Sequence, residues 1–182
     1  MAFDLRPLGH FILRSIKSLG AGATKGSTPT RPPRAQRQPT AVGPVAGAAP
    51  GAYPGDFRGS AKVSYSPRPD GRPDPGEIVW SWVPYEEDYS RGKDRPVLLV
   101  GRDGDWLLGL MLTSKDHDGG PASEDYLDIG AGTWDPQRRP SEVKVDRIIR
   151  LDPGKVRREG AVLEKARFRQ VAAVLRTRHG WS

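Results

Sequence analysis

The chain of 182 residues contains no cysteine. This absence excludes disulfide bonds, thiolate zinc sites and cysteine nucleophiles, and it fits the reducing cytoplasm that we expect as the protein's location. No apolar run approaches the roughly 20 residues of a membrane span. A phosphate-binding glycine motif and a nucleophile elbow are also missing, so nucleotide hydrolysis and acyl transfer have no support in the sequence.

Histidine is scarce as well, with His10, His117 and His179 far apart in the chain. The triplet Asp116-His117-Asp118 carries metal-ligand side chains, but adjacent residues of a polar loop seldom converge on one ion. The sequence therefore predicts no metal site and no cofactor.

Apolar residues are distributed unevenly, and this divides the chain into three parts. Most of the 18 prolines fall between Pro29 and Pro75, and most of the apolar residues follow Gly76. Residues 20–74 have almost no large aliphatic side chains and cannot offset the entropy of ordering, so we expect a disordered linker. Residues 75–182 are expected to form one domain of about a hundred residues.

Residues 1–19 show a helical pattern. Apolar residues recur there at three- and four-residue steps, while basic residues such as Arg14 and Lys17 occupy other faces. These two charges interrupt the apolar run that a secretory signal requires, so export is not expected. A basic amphipathic segment of this kind lies on an anionic membrane or docks in a partner's groove; the alternative is a terminal tail without a role.

The net charge of +7 favours a polyanion as partner, and nucleic acid is the commonest of these. Arg31, Arg34 and Arg37 of the linker alternate with prolines and add weak attraction for RNA or DNA in an extended conformation. The alternative is a solvated charge run.

Period-two alternation marks the first strand of the folded part. Ile78, Trp80 and Trp82 occupy every second position, which predicts a strand with one buried face and two tryptophans that anchor it in the core. Residues 83–94 lack apolar periodicity and are expected to form a long exposed loop. Residues 97–100 are continuously apolar and predict a central strand.

Further elements complete a small curved sheet or barrel. Residues 106–112 predict the next strand of a meander, and 126–129 and 143–151 predict shorter strands, the latter bent near Asp146. A C-terminal amphipathic helix is predicted within 163–178, and its apolar stripe consists of Phe168, Val171, Ala172 and Leu175. The expected fold class is β-rich α+β.

Five fragments in this order resemble the MazF/PemK toxin family over residues 75–180. They are Pro75-Gly76-Glu77-Ile78-Val79-Trp80, Arg95-Pro96-Val97-Leu98-Leu99-Val100, Thr113-Ser114, Ser141 to Asp146 with Ile149-Arg150 and Asp152, and the closing helix. The resemblance implies an SH3-like barrel and a homodimer. It also implies a metal-independent endoribonuclease that cleaves single-stranded RNA by 2′-hydroxyl transphosphorylation and is held inactive by a cognate antitoxin.

Two positions suit the chemistry that such a cleavage requires. Attack by the ribose 2′-hydroxyl passes through a dianionic phosphorane, which a planar arginine fork and a hydroxyl stabilise. Arg95 and Thr113 match the catalytic arginine and hydroxyl positions of the family, and Ser114 is placed to assist. The alternatives are a surface salt bridge for Arg95 and a side-chain-capped turn for Thr113 and Ser114.

The remaining candidate residues surround these. Lys144 and Asp146 stand where some family members have an arginine and an aspartate as acid and base, although Asp146 is equally suited to hold backbone amides at a bend. Tyr85, Tyr89, Arg91 and Lys93 of the loop are candidate RNA-binding residues, the tyrosines by stacking on a base.

Two departures from the family pattern favour a different function. The acidic run Glu86-Glu87-Asp88 repels an RNA backbone, and Tyr89 stands where some members have a catalytic histidine. A catalytically inactive module of the same fold that binds nucleic acid or protein is the first alternative. A tethered domain whose function is its localisation, through residues 1–20, is the second.

Overall fold

The computed structural model of the protein describes residues 52–182, and for residues 158–160 it describes the backbone alone. The expected amphipathic segment 1–19 and residues 20–51 of the expected linker lie outside the described residues. Between residues 52 and 182, no helix is long and apolar enough to cross a membrane.

The chain forms a curled antiparallel sheet that is followed by one helix. Its strands in order are β1 (Glu77–Pro84), β2 (Gly92–Asp103), β3 (Trp106–Thr113), β4 (Tyr126–Gly130), β5 (Ser141–Lys144), β6 (Ile149–Leu151) and β7 (Arg157–Val162). A short 3-10 helix (Ser123–Asp125) precedes β4, and the α-helix α1 (Lys165–His179) closes the chain. This arrangement confirms the β-rich fold class with a C-terminal helix.

Strand β3 explains how the sheet curls. The strand order is β4-β5-β3-β2-β1-β7, and β6 also pairs with β3. Leu107, Leu108 and Gly109 of β3 pair with β6, whereas Leu112 and Thr113 pair with β5. Strands β5 and β6 thus pair with the same side of β3 at its two ends and are separated by residues 145–148, and the bend expected near Asp146 lies in this interruption.

Apolar side chains form two clusters of buried residues. The larger cluster includes Ile78, Leu98 and Val100 together with the buried stripe of α1. The smaller cluster includes Val79, Val97 and Leu99. Successive residues of a strand point to opposite faces, so the assignment of neighbours to different clusters shows that β1 and β2 are covered on both sides. The central-strand prediction for residues 97–100 is confirmed, and so is the stripe of Phe168, Val171, Ala172 and Leu175.

The two tryptophans of β1 are not the core anchor that the sequence predicts. Trp82 is 46% exposed, and Trp80 is only partly buried. The Trp82 ring lies against Gly92, where a Cβ would come within 2.6 Å of it. The prediction fails because β1 is an inner strand between β2 and β7 that buries Val79 and Val83 on its other face. In a strand with buried residues on both faces, alternation along the sequence does not show which face is in the core.

The loop after β1 is shorter than predicted. Strand β1 continues to Pro84 and β2 begins at Gly92, so the connection spans residues 85–91 rather than 83–94. Val83 pairs with Lys93 and Pro84 with Gly92, so backbone pairing extends into residues without apolar periodicity. Strand β7 was not predicted.

Residues 52–74 pack against the sheet, in contrast to the linker expected there. Phe57 is buried, and its N–H donates to the Ile148 carbonyl at 2.8 Å. Val63 is buried as well, and its N–H donates to the Ser182 carbonyl at 2.8 Å. A few apolar residues with long-range partners therefore suffice to order a segment whose composition predicts disorder.

An arginine clamp holds this segment in place. Arg147 donates from Nε and Nη2 to the two carboxylate oxygens of Asp56, at 2.9 and 3.1 Å, and from Nη1 to the Pro84 carbonyl at 2.8 Å. The Tyr53 hydroxyl donates to the same carboxylate at 2.5 Å. Burial together with this hydrogen bond raises the pKa of Tyr53 above its ordinary value. We name Tyr53, Asp56 and Arg147 the Arg147 clamp.

Candidate active site

A cleft of about 230 Å³ opens where β2 begins, β3 ends and β5 begins. The three predicted catalytic residues, Arg95, Thr113 and Ser114, all line it. Other lining side chains come from the walls and from the loop before β5: Trp80, Asp94, Lys115, Asp135, Arg139 and Ser141. The structure thus brings together residues from three strand ends, which is where a rigid sheet holds side chains for use.

Strand register accounts for the meeting of Arg95 and Thr113. Strands β2 and β3 pair in the order Leu98 with Leu110 and Val97 with Met111. Continued outward by two residues, this register sets position 95 opposite position 113. Pro96 cannot donate a ladder hydrogen bond and fixes its own φ, so it marks the place where β2 changes from cleft wall to buried strand.

Arg95 has an unpaired guanidinium. The residue is partly buried, and within residues 52–182 its side chain makes no ion pair or hydrogen bond. Both carboxylates of the cleft are engaged elsewhere, because Asp94 pairs with Arg157 and Asp135 pairs with Arg139. The salt bridge to the loop carboxylates that was the alternative for Arg95 is not formed. A guanidinium held in this way is a donor set for an anion.

Thr113 forms a side-chain-capped turn and still has a hydroxyl hydrogen to donate. Its Oγ1 accepts a hydrogen bond from the Lys115 N–H at 3.1 Å, which is the side-chain-capped turn of the alternative. The hydroxyl hydrogen is not used by this bond and can be donated into the cleft. Lys115, which follows the exposed Ser114, brings a second cation to the same wall.

The loop between β4 and β5 supplies a wall that the sequence analysis missed. Trp134 is buried, and its Nε1 donates to Ser141 Oγ at 3.1 Å, while Trp80 Nε1 donates to the Trp134 carbonyl at 3.2 Å. Asp135 follows and is also buried. A lone tryptophan in an otherwise polar stretch was the available signal, since such a residue usually fixes a loop to the core.

Asp135 holds Arg139 at the rim of the cleft. Arg139 Nε donates to Asp135 Oδ2 at 2.7 Å, and the Gln137 N–H donates to Oδ1 at 2.9 Å. The hydrogen bond from Arg139 lowers the pKa of the Asp135 carboxyl, so the carboxylate form is favoured.

Lys144 and Asp146 do not line the cleft. Lys144 Nζ lies 2.5 Å from Asp146 Oδ2 and 3.7 Å from Glu86 Oε2, so it joins the bend after β5 to the loop 85–91. The other oxygen of Asp146 is buried and has no hydrogen-bond partner among the residues that the structure describes.

The four candidate RNA-binding residues of the loop also lie outside the cleft lining. Tyr89 packs edge-on against Tyr53 with 5.1 Å between ring centroids, and its hydroxyl lies 3.3 Å from Asp56. Arg91 places its guanidinium carbon 5.9 Å from the Tyr85 ring centroid. Lys93 is exposed on β2.

A group of carboxylates lies beyond Lys115. Asp116, Asp118 and Glu142 each offer an oxygen within 4.8 Å of the others. Glu142 is already engaged, because its Oε2 lies 2.6 Å from His117 Nδ1, and the His117 ring stacks on Tyr126. His117 therefore belongs to a local hydrogen-bonded stack, and exposed acidic groups of this kind are common without an ion.

Comparison with known proteins places the chain in a family. Residues 74–178 match the family model described as PemK-like, MazF-like toxin of type II toxin-antitoxin system. Among solved structures, the chain is similar to the crystal structure of MazE-MazF (form II) from Deinococcus radiodurans, with 19% sequence identity, a TM-score of 0.43, and coverage of 62% of this chain and 100% of that chain. No curated protein matches the sequence. Because the family match spans more than half of its residues, the chain belongs to the PemK-like, MazF-like toxins of type II toxin–antitoxin systems.

Proposed function

We propose that the protein is a metal-independent endoribonuclease that cleaves single-stranded RNA and acts as the toxin of a toxin–antitoxin pair. The observation that carries this proposal is the unpaired Arg95 guanidinium beside the Thr113 hydroxyl in a cleft whose carboxylates are already neutralised. The family supports the same activity, since its cleavage chemistry calls for an arginine and a hydroxyl at one phosphate.

The reaction is an internal transphosphorylation. The ribose 2′-oxygen forms a bond to the adjacent phosphorus while the bond from phosphorus to the 5′-oxygen breaks. The 2′-hydroxyl loses its proton and the leaving 5′-oxygen gains one, so the products carry a 2′,3′-cyclic phosphate and a 5′-hydroxyl. Negative charge builds on the non-bridging oxygens in between, and stabilisation of that charge is the largest contribution a protein can make.

Arg95 and Thr113 fit this requirement in different ways. The planar fork of Arg95 donates two parallel hydrogen bonds to the non-bridging oxygens, and the energy of desolvation is limited because the side chain is only partly buried. Thr113 donates its hydroxyl hydrogen to a phosphate oxygen while the Lys115 N–H fixes the oxygen's position. Ser114 is exposed at the same turn and assists from the entrance.

The candidates outside the cleft take supporting roles in this proposal. The contacts of Lys144 with Asp146 and Glu86 support a structural brace at the bend rather than an acid–base pair. Exposed Arg91 and Lys93 attract the RNA backbone near the entrance. Tyr85 keeps a partly exposed ring for stacking on a base, whereas Tyr89 already packs on Tyr53.

Membership of a type II toxin–antitoxin family supports a cognate antitoxin protein as the partner that holds the nuclease inactive. A homodimer and a cytoplasmic location remain predictions from the family. Contact of residues 1–19 with a membrane or a partner's groove is a separate prediction, which deletion of that segment tests directly.

The test is incubation of purified, antitoxin-free protein with mixed-sequence single-stranded RNA, with and without chelator, followed by mapping of the ends. We expect cleavage that survives chelator and leaves cyclic-phosphate ends. Arg95→Ala is expected to abolish it. Arg169→Ala, which removes an exposed arginine on the outer face of α1, serves as the matched control and should cleave normally.

Intact RNA with folded protein would overturn the nuclease and favour the inactive binding module. The observation behind that alternative is the exposure of Glu86 and Glu87 on the loop 85–91, although Lys144 offsets part of the charge of Glu86. The binding module predicts retention of RNA that weakens with salt, is insensitive to Arg95→Ala and gives no product.

A further inference from the structure

We propose that Arg139 forms a second phosphate-binding site in the cleft and that Asp135 is the residue that positions it. This inference rests on the proposed function, because it assigns the neighbouring phosphate of the same RNA strand to the part of the cleft that the loop before β5 lines. It adds two residues that the family resemblance did not point to.

The first observation is how Arg139 is held. Its Nε donates to Asp135 at 2.7 Å, and within the described part of the chain its Nη1 and Nη2 groups have no partner. A guanidinium has five N–H donors, so four remain available at the cleft. The side chain is 55% exposed although its partner carboxylate is 7% exposed, so one end is fixed in the protein and the other faces solvent.

The second observation is that Asp135 is itself rigidly placed. The Gln137 N–H occupies its second oxygen, and its own N–H donates to the Gly132 carbonyl at 3.3 Å. The preceding Trp134 is buried and hydrogen-bonded through Nε1 to Ser141. A buried carboxylate fixed on both oxygens gives the arginine a defined direction, which lowers the entropy cost of holding an anion.

The third observation is the backbone just before Arg139. Arg138 has a φ of 50°, the left-handed region that non-glycine residues seldom adopt. Such conformations cost free energy and persist where the surroundings impose them, and they concentrate at functional sites. Here the turn brings the next residue, Arg139, back to the cleft wall that Asp135 lines.

Charge explains why this wall suits a phosphate. Arg95, Lys115 and Arg139 line the cleft with Asp94 and Asp135. The charge of Asp94 is paired with Arg157, which does not line the cleft. The charge of Asp135 is paired with Arg139, which uses only its Nε for this contact. The cleft therefore presents more positive than negative charge, and Arg139 keeps a fork that can grip a phosphate from two nitrogens.

The experiment measures binding of a mixed-sequence single-stranded RNA in which every ribose is 2′-O-methylated, so that cleavage is blocked. Dissociation constants are determined over a range of salt concentrations for the wild type, Arg139→Ala, Asp135→Asn and the double variant. Arg169→Ala is the matched control, because it removes the same charge from an exposed residue of α1 that does not line the cleft.

We expect Arg139→Ala to weaken binding about tenfold and to reduce the magnitude of the salt slope by about 0.7, the contribution of one phosphate contact to a single strand. Asp135→Asn should weaken binding by a smaller factor. The double variant should bind no worse than Arg139→Ala, because a residue that only positions Arg139 has nothing left to position.

Equal affinity and slope for Arg139→Ala and Arg169→Ala would overturn the phosphate site. A full additive loss in the double variant would overturn the positioning role. Thermal unfolding verifies that each variant is folded, and Arg139→Gln replaces Arg139→Ala if the latter is not. The unmodified RNA is assayed in parallel: binding by the wild type without cleavage overturns the nuclease but, with the expected losses, supports the Arg139 site.

Discussion

Arg147, in the segment between β5 and β6, and Arg95, near the start of β2, differ in what surrounds their guanidinium groups. Arg147 is 6% exposed and uses three nitrogens, two on Asp56 and one on the Pro84 carbonyl. Arg95 lines an open cleft and uses none within residues 52–182. A cation taken from water is costly unless it is paired, so the paired arginine stabilises the fold and the unpaired one is available to a ligand.

Arg139 lies between these two cases. Its Nε is bound to a buried carboxylate, as in the Arg147 clamp, while its remaining donors face the cleft, as in Arg95. Within the described residues, Arg147 uses three of its nitrogens, Arg139 uses one and Arg95 uses none, and we propose that a ligand takes the donors that remain.

The largest expected effect comes from breaking the Arg147 clamp. Asp56→Ala leaves the Arg147 guanidinium buried without its carboxylate, and loss of one partner of a buried pair costs about 3–5 kcal/mol of the free energy of unfolding. Guanidinium chloride unfolding monitored by tryptophan fluorescence measures it. Arg95→Ala is the contrasting variant and should change stability by less than about 0.5 kcal/mol. Equal losses in the two variants would contradict the comparison.

The clamp was beyond the reach of sequence analysis for a definite reason. Asp56 and Arg147 are separated by 91 residues, and neither belongs to a periodic pattern. Phe57 is a single aromatic in a polar stretch, so composition predicted a linker where long-range contacts order the chain. By contrast, the stripe of α1 repeats with the helical period and the run 97–100 is continuously apolar, and both were predicted correctly.

The candidate site divides in the same way. Arg95, Thr113 and Ser114 stand at the ends of apolar strands, so strand pairing brings them to one cleft, and the family resemblance was sufficient to select them as candidates. Asp135 and Arg139 lie in an irregular loop whose path depends on the burial of Trp134 and the turn at Arg138. No local pattern encodes that path, and these two residues became visible only in three dimensions.

The next largest effect is on the cleavage rate of Arg95→Lys, which tests whether the planar guanidinium of Arg95 is needed or only its charge. Arg95→Lys keeps one positive charge but replaces the planar donor pair by a point charge. We expect the cleavage rate to fall about 10- to 100-fold, the loss of one strong hydrogen bond to a developing charge. Binding of the methylated RNA at low salt should change little. Single-turnover cleavage measures the rate, and a lysine variant as fast as the wild type would show that charge alone suffices.

Thr113→Val removes the hydroxyl and should lower the stability by less than Asp56→Ala does and the cleavage rate by less than Arg95→Lys does. Loss of the contact with the Lys115 N–H costs about 0.5–1 kcal/mol, because the exposed amide can turn to water instead. Loss of one neutral donor to the phosphate slows cleavage about tenfold. Thr113→Ser keeps the hydroxyl and should restore both quantities. Recovery of stability without recovery of rate would leave the hydroxyl as a turn cap only.

The smallest expected effect is on stability at acidic pH, and it tests whether Arg139 is bound to Asp135 in solution. The hydrogen bond from Arg139 holds the pKa of Asp135 below its ordinary value of 3.8, so the folded protein favours the carboxylate more than the unfolded chain does. The resulting stability is fully present above about pH 4 and is lost as the pH falls from there through the lower folded pKa, because the unfolded chain takes up its proton first. Asp135→Asn lacks this titrating carboxyl. The guanidinium chloride concentrations at which the variant and the wild type are half unfolded should therefore differ by a constant amount from pH 5 to 7, and by less below pH 4. Parallel curves over the whole range would mean that Arg139 does not hold this carboxylate in solution, and the Asp135 positioning role would lose its physical basis.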